Sequence, residues 1–448
     1  MGTDHDANVE PVRTFVRPAS VRLRTVGFGL VVLLICTACA GSTPSGSLPA
    51  GLELAKANAP RASADPAQAL PAAQAMNASG LDLYRKASSD GGNLVLSPAS
   101  IALALSMARA GAQAETASQM DRVMGALASD EHAAWINALD AALSARSGTF
   151  KDADGNELPI TLRIANAAFA QRGMTLLPAY LDALATRFGA GVDLVDFHAN
   201  AEAARAAINA WVKVQTEGRI PELIDAGVLD TMTRLVLVNA IHLKAPWLHP
   251  FAAESTRPGP FMRPDGSTIQ VPMMQLTESL PYAAGTGWRA VELPYVGGSL
   301  AMDIIVPDDL AAFDSHLDAD HFTAVTTALK DNQVELTMPR FSIETHTDLA
   351  SLLGGLGMPL AFDPNGADFS GMTSDERLFI SNVVHQANID VDEKGTTAAA
   401  ATAVVMRPTA IAAEPVRLKV DRPFLFALRD VPTGAIVFLG QVTVPSTH

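Results

Sequence analysis

The sequence predicts a single large domain of the α+β class. Helix-type patterns predominate up to about residue 145, whereas apolar runs of strand length predominate in the last third of the chain. This order is typical of an α+β fold rather than of alternating α/β units. No internal repeat is visible, and no linker after Ala73 is long enough to mark a second domain. With 48% hydrophobic and 18% charged residues, the chain can bury a large core.

The charge pattern argues against a nucleic-acid partner. The formal net charge is −15 at pH 7, and the lysines and arginines are scattered along the chain. A nucleic-acid-binding protein needs a clustered basic face. The acidic balance mainly favours solubility.

Residues 1–40 have the order of a secretory signal peptide. Arginines up to Arg24 precede an apolar run over residues 26–35, and small residues follow it,. The run is too short to span a bilayer comfortably. Cys39 lies where a bacterial lipoprotein signal has its acylated cysteine, although Cys36 stands where that signal usually has leucine. Both plain secretion and a lipid anchor on Cys39 therefore remain open, and the protein is expected to be exported in either case. With the anchor it would be held on the outer side of the cytoplasmic membrane.

Residues 41–73 are rich in Ala, Pro, Ser and Gly and show no sustained periodicity. This composition predicts a flexible linker, followed by the folded domain at residues 74–446. Cys36 and Cys39 are the only cysteines. The mature domain therefore has no disulfide, no thiol nucleophile and no cysteine-based zinc site, and it must rely on its core for stability.

Helical patterning begins near Met76. A better-marked helix follows, because Ser97 can cap it and Pro98 suits its first turn,. Further helices are predicted at residues 178–188 and 201–217. Strand-length runs of β-branched or apolar residues predict the sheets. These runs are residues 164–169, 235–243, 301–306, 334–338, 379–391, 416–420, 424–428 and 435–443.

No conventional active site is visible in the sequence. It has no Gly-x-Ser-x-Gly turn, no phosphate-binding Gly-x-x-x-x-Gly-Lys and no dinucleotide-binding glycine pattern after a strand,. The pair His242 and His249 and the pair His316 and His321 lack the spacing or the acidic partner of a zinc site,. We expect neither enzyme activity nor a cofactor or metal.

The most unusual stretch is residues 395–405, which read Gly-Thr-Thr-Ala-Ala-Ala-Ala-Thr-Ala-Val-Val. Its composition alone also fits a low-complexity linker or an alanine-rich helix. As a strand it would present alternate residues on one face, namely Thr396, Ala398, Ala400, Thr402, Val404 and Met406. No charge or proline occurs from 395 to 406, so the segment can be exposed as a loop or buried in a sheet. Gly395 supplies the conformational freedom of a hinge.

Motifs that recur in order over about residues 76–445 resemble those of the serpin family. They are Asn93-Leu94-Val95-Leu96-Ser97-Pro98, Ile164-Ala165-Asn166, Asn239-Ala240-Ile241-His242-Leu243-Lys244 with Trp247, residues 381–391 with His385, and Arg422-Pro423-Phe424-Leu425-Phe426 with Gly434 and Pro445. Each motif is weak alone, but the ordered set is specific.

The resemblance implies a serpin fold with three β-sheets, about nine helices and an exposed reactive-centre loop, held in a metastable form. It implies a hinge made of Glu393, Gly395, Thr396, Thr397, Ala398, Ala399, Ala400, Ala401 and Thr402. Ser97, Ser100, Asn239 and His385 would cluster beneath the opening of the main sheet, and Trp247 would lie where insertion begins. Simpler interpretations stay open, because Ser97 also fits a helix cap and His385 a hydrogen-bonded core histidine.

Counting from the hinge glycine, as in the family, places the cleaved bond at Thr409-Ala410. Arg407 would attract a trypsin-like enzyme, but Pro408 follows it and protects that bond. The Met406-Arg407 bond is open to an enzyme that prefers larger apolar residues. A threonine at the cleaved bond favours an elastase-like or subtilisin-like protease.

The resemblance thus implies a monomeric inhibitor that acts as a suicide substrate. Its partner would be a serine protease, or alternatively a cysteine protease, held as a covalent acyl-enzyme after attack on Thr409. Insertion of the freed loop into the main sheet would trap this complex. The alternative is a non-inhibitory protein of the same fold that binds or chaperones a partner. Hinges of that kind typically contain charged, bulky or proline residues, which residues 395–406 lack.

Overall fold

The structure is a computed structural model that describes residues 49–125, 129–152, 155–396 and 414–446. All of them belong to one compact unit, Leu48–His448. Several predicted features lie outside the described residues. They are the signal peptide at residues 1–40 with Cys39, the hinge residues Thr397, Ala398, Ala399, Ala400, Ala401 and Thr402, and the bond Thr409-Ala410.

Nine α-helices lie within the described residues. They are α1 (Ala69–Ala87), α2 (Pro98–Arg109), α3 (Ala114–Met124), α4 (Ser129–Ser144), α5 (Pro178–Ala183), α6 (Phe197–Gln215), α7 (Leu310–Asp314), α8 (Ala319–Ala328) and α9 (Ala350–Leu356). None of these helices combines the length and apolar character needed to cross a membrane.

Seventeen strands accompany them. They are β1 (Glu53–Ala55), β2 (Leu94–Leu96), β3 (Gly148–Lys151), β4 (Glu157–Gln171), β5 (Val192–Val195), β6 (Leu235–Pro246), β7 (Arg257–Met262), β8 (Thr268–Gly285), β9 (Trp288–Pro294), β10 (Leu300–Pro307), β11 (Lys330–Pro339), β12 (Phe341–Asp348), β13 (Asn382–Asp392), β14 (Gly395–Thr396), β15 (Val416–Lys419), β16 (Phe424–Asp430) and β17 (Ile436–Val442).

The main sheet has the order β1-β5-β4-β6-β14-β13-β12, with β3 paired to β4. The remaining strands have the order β15-β11-β8-β9-β10-β16-β17-β2, with β7 paired to β8. Strand β8 pairs with β7 and β11 over most of its length and with β9 at its end. Strand β8 therefore joins the two smaller predicted sheets into one continuous nine-stranded sheet. We call it the second sheet. The predicted α+β fold class is confirmed, with the sheets linked in this way.

Strand β6 shows how the core positions the site. Nearly all of it is buried, as expected for a central strand covered on both faces,. Val236 and Val238 pack in the cluster that includes α6, whereas Leu237 and Ile241 belong to the clusters formed with α2 and the second sheet. Side chains alternate between the two faces of a strand. Asn239 therefore lies on the same face as Leu237 and Ile241, toward α2.

The predicted linker at residues 41–73 is wrong for its described part, residues 49–73. Strand β1 adds antiparallel to β5 at the edge of the main sheet. Helix α1 begins at Ala69, and Ala72 and Ala73 are buried in the core. The composition misled because alanine is common in linkers but is also the strongest helix former and packs closely.

Arg61 ties this N-terminal segment to α4. Its Nε donates to Asn137 Oδ1 at 2.7 Å, and its guanidinium forms an ion pair with Asp140 at 2.6 Å. The pair is partly exposed, so Arg61→Ala is expected to lower the free energy of unfolding by about 1 kcal/mol, measured by chemical denaturation. Arg122→Ala is the matched control, because its ion pair with Glu115 is largely exposed. Equal effects of the two substitutions would contradict a stabilising role for residues 49–63.

Candidate functional site

A two-residue strand splits one end of the main sheet. Strands β6 and β13 are parallel and pair directly from Val236 opposite Asn382 to Ile241 opposite Ala387. Beyond that point β14 lies between them, antiparallel to both. The predicted hinge residues Gly395 and Thr396 therefore already occupy a slot between the two central strands. We call this slot the sheet opening.

Only glycine fits the first position of β14. Gly395 has a φ of +152°, and a Cβ atom there would lie 2.2 Å from the Ala245 carbonyl oxygen and 2.8 Å from Pro246 Cα. Both neighbours are backbone atoms of β6 and cannot rotate away. The hinge therefore requires this glycine for close approach of two backbones as well as for its dihedral angle.

Thr396 is 1% exposed, and its hydroxyl lies 2.5 Å from the Tyr295 hydroxyl. Burial raises the pKa of Tyr295, so the phenol stays neutral and can take part in this hydrogen bond. The Tyr295 ring stacks on Trp247 with centroids 4.4 Å apart. The hinge thus begins against a buried aromatic pair rather than in solvent.

Trp247 lies at the sheet opening, where the resemblance implied that insertion begins. Its Nε1 donates to the Asp392 carbonyl at 2.9 Å, and its backbone N–H donates to the Lys394 carbonyl at 2.9 Å. The Phe251 N–H donates to the Glu393 carbonyl at 2.8 Å. The turn that leads from β13 into β14 is therefore held by the segment that follows β6.

Glu393 is the buried charge of this turn. Its carboxylate accepts from Arg340 Nε at 2.7 Å, forms an ion pair with the same guanidinium at 2.6 Å, and accepts from the Thr256 hydroxyl. Burial alone would raise the pKa of Glu393, but the hydrogen bonds from Arg340 and Thr256 outweigh it and lower the pKa. The carboxylate is therefore charged and fixed, and it anchors the hinge.

The polar cluster predicted beneath the opening is brought together by the structure. His385 Nδ1 donates to Asn239 Oδ1, and His385 Nε2 accepts from the Ser97 N–H at 3.2 Å. Asn239 Nδ2 donates to Asn166 Oδ1 at 2.7 Å, and the Ser100 hydroxyl contacts the same oxygen at 3.1 Å. Ser97 also caps α2, since its side chain accepts from the Ser100 N–H at 3.1 Å. We call these five residues the polar cluster.

The polar cluster holds His385 as a neutral imidazole. Burial, with a smaller contribution from His346, lowers the pKa of His385 from 6.5 to about 3. One ring nitrogen donates and the other accepts in the bonds described above, which is the pattern of the neutral ring. The cap interpretation of Ser97 and the core interpretation of His385 are therefore compatible with membership of one cluster.

This pKa predicts a specific loss of stability in acid. Above pH ~6.5 the imidazole is neutral in both states, and the stabilisation is fully present. As the pH falls toward about 3, the unfolded chain binds a proton that the folded protein excludes, at a cost of about 1.4 kcal/mol per pH unit. We expect the free energy of unfolding to fall by about 2 kcal/mol more between pH 7 and 5 in the wild type than in His385→Asn, measured by denaturant titration. The control is His198→Asn, at an exposed position. Its free energy of unfolding should fall between pH 7 and 5 by as much as that of the wild type. An unchanged loss in His385→Asn would contradict the assignment.

Sequence reasoning missed the partners that come from distant segments. Tyr295 follows β9, Arg340 lies between β11 and β12, and Thr256 precedes β7; none of these positions shows a signal in the sequence. Asn166 could have been predicted from the sequence, because it is a polar residue in the otherwise apolar middle of β4. In the part of the chain that the structure describes, no three potential metal ligands lie together.

Comparison with known proteins agrees with this architecture. A profile of the family described as serpin (serine protease inhibitor) matches residues 74–445. The chain is 37% identical over 375 residues to an uncharacterized serpin-like protein of Thermococcus kodakarensis, covering 83% of this chain and 85% of that protein. It is 36% identical over 369 residues to leukocyte elastase inhibitor A of Mus musculus, covering 80% and 94%.

Among solved structures, the thermophilic serpin tengpin in its native state matches with a TM-score of 0.76 at 26% identity. That match covers 87% of this chain and 97% of tengpin. The profile match extends over most of the chain, and the sequence relatives exceed a third in identity. The chain therefore belongs to the serpin family of serine protease inhibitors.

Proposed function

We propose that this protein traps a serine protease by inserting its cleaved reactive loop between β6 and β13. The observation that carries the proposal is β14, because the first two hinge residues already lie in the sheet opening, antiparallel to both neighbours. Insertion would then extend an existing strand and would not have to nucleate a new one.

The register of β14 specifies where each inserted residue would arrive. Thr396 lies opposite Ala245 of β6 and Val391 of β13. If the inserted loop continued this register two residues at a time, Thr402 would arrive between Asn239 and His385, beside the polar cluster. Ala398 would then lie opposite Leu243, Ala400 opposite Ile241, Val404 opposite Leu237 and Met406 opposite Leu235. The hydroxyl of Thr402 would thus reach the polar groups, and the larger apolar side chains would reach an apolar part of the core.

Insertion is expected to be strongly favourable. The direct ladder between β6 and β13 from Val236 to Ile241 must open, but the new strand gains partners on both of its edges. A net gain of about ten ladder hydrogen bonds at ~1 kcal/mol each amounts to about 10 kcal/mol. Burial of Val404 and Met406 adds to this driving force.

The protease supplies the chemistry. Its serine attacks the Thr409 carbonyl, the Thr409-Ala410 bond breaks, the Ala410 amine leaves with a proton, and Thr409 remains as an ester on the enzyme. Insertion then displaces the attached protease before water can hydrolyse the ester. The similarity to leukocyte elastase inhibitor A and the threonine at the cleaved bond support an elastase-like or subtilisin-like target.

The test is incubation of the protein with elastase-like, subtilisin-like and trypsin-like proteases. We expect an adduct stable to boiling in detergent with at least one of the first two, and a released peptide whose mass corresponds to residues 410–448. A peptide that begins at Arg407 would move the cleaved bond to Met406-Arg407. Cleavage by every protease without any adduct would overturn the proposal and favour a non-inhibitory binding protein.

We further propose that the protein is exported, on the signal-like pattern of residues 1–40. Radiolabelled palmitate incorporated into the wild type but not into Cys39→Ser would support a lipid anchor on Cys39. Full-length protein retained inside the cell would contradict export.

A further inference from the structure

A cavity of about 560 Å³ lies at the end of the second sheet, where β10 ends, β16 begins and β17 ends. The C-terminal end of α1, the turn that follows it, the β7–β8 turn and the first turn of α7 complete its walls. None of its lining residues belongs to the sheet opening or to the polar cluster. Its volume is in the range that holds a small organic ligand.

Three arginines from three separate elements line this cavity: Arg85 of α1, Arg263 of the β7–β8 turn and Arg422 of the β15–β16 connection. The Nε atoms of Arg85 and Arg263 are buried and have no hydrogen-bond partner among the described residues. Arg263 forms no ion pair with any residue that the structure describes, whereas Arg85 forms one with Asp82 and Arg422 forms one with Asp421 at 3.2 Å. Among the described residues Arg263 is therefore the lining cation without a carboxylate partner, and an acidic group in the cavity would provide one,.

Three carboxylates that line the cavity already have an ion-pair, helix-capping or hydrogen-bond partner. Asp308 forms an ion pair with Arg289 at 3.4 Å, and Asp309 caps α7. Asp314 accepts a hydrogen bond from the Tyr84 hydroxyl at 3.2 Å, and burial raises its pKa to about 7. Near neutral pH its negative charge is therefore reduced, which lowers its repulsion of an anion in the cavity,.

Apolar side chains also line the cavity. Met262, Pro264, Pro307, Leu310 and Pro423 are among them, and Met262 is 42% exposed. Exposed methionine and proline side chains around a concave surface favour contact with an apolar ligand body. The cavity thus combines guanidinium donors with an apolar surface.

We propose that this cavity binds a small amphiphilic organic anion, whose carboxylate, sulfonate or phosphate group contacts Arg85 and Arg263 and whose apolar body lies against Met262 and the prolines. The cavity shares no lining residue with the sheet opening. Its ligand would be a second partner of the protein, in addition to the protease.

The test is isothermal titration of the full chain with four matched probes. Naphthalene-2-sulfonate and naphthalene-2-carboxylate combine both features, naphthalene-2-methanol lacks the charge, and inorganic sulfate lacks the apolar body. We expect saturable binding of at least one naphthalene anion in a 1:1 ratio, and at least tenfold weaker binding of the alcohol and of sulfate. The ratio of the two anions identifies the preferred acidic group.

Arg263→Ala is expected to weaken anion binding at least tenfold, whereas Arg263→Lys should recover part of it. Arg122→Ala, an exposed arginine on α3, should bind as the wild type does. Circular dichroism checks that each variant is folded, and Arg85→Ala serves as a second variant if Arg263→Ala unfolds. Equal affinity for the alcohol and the anions, unchanged affinity in both arginine variants, or no saturation by 10 mM probe would overturn the proposal. Protease trapping, measured separately, does not depend on any of these results.

Discussion

Thr396→Arg is expected to convert the protein from an inhibitor into a substrate. Thr396 is buried against Tyr295 in the sheet opening, and an arginine there would place an unpaired charge in the core at a cost of several kcal/mol. The hinge would then be expelled, and insertion would become slower than hydrolysis of the acyl-enzyme. The fraction of cleavage events that end in a detergent-stable adduct should fall at least tenfold, while cleavage itself continues.

Thr396→Ser is the matched control for this experiment, because it keeps the hydroxyl that contacts Tyr295. It should trap protease nearly as well as the wild type. Adduct formation by Thr396→Arg at the wild-type level would show that β14 does not initiate insertion. Loss of both cleavage and adduct would instead indicate a misfolded variant, which a melting curve detects.

Cleavage of the reactive loop is expected to raise the melting temperature by about 10 °C or more. The reason is the additional central strand, whose roughly ten net ladder hydrogen bonds contribute about 10 kcal/mol. Calorimetry of the intact and cleaved full-length protein measures the effect. Cleaved Thr396→Arg serves as the control and should melt near the temperature of the intact protein.

Much of the fold could be predicted because local signals and tertiary packing agree. Ser97 and Pro98 marked the start of α2, and the apolar run at residues 235–243 became the buried strand β6. The linker at residues 49–73 could not be predicted correctly, because an alanine-rich composition does not distinguish a tether from a packed helix,. The joining of the smaller sheets through β8 depends on pairing between distant strands, which no local pattern specifies.

The candidate site also has features that the sequence predicts and features that only the structure shows. The run of small side chains after Gly395 is visible in the sequence, and the family resemblance of the surrounding motifs indicated four members of the polar cluster. The contacts of Tyr295 with Thr396 and of Arg340 with Glu393 could not be predicted, because each joins residues at least 50 positions apart. The insertion of β14 also needed the structure, because the sequence does not show how far a hinge enters the sheet.

The most direct test of the account is hydrogen exchange in β6 and β13 before and after cleavage. Their direct ladder ends at Ile241 and Ala387, and β14 resumes pairing at Ala245 and Val391. If the cleaved loop fills the space between, slot-facing amides in residues 242–244 and 388–390 should exchange at least tenfold more slowly in the cleaved protein. Peptides from β9 and β10 should not change. Identical exchange at the slot in both forms would contradict insertion between these strands.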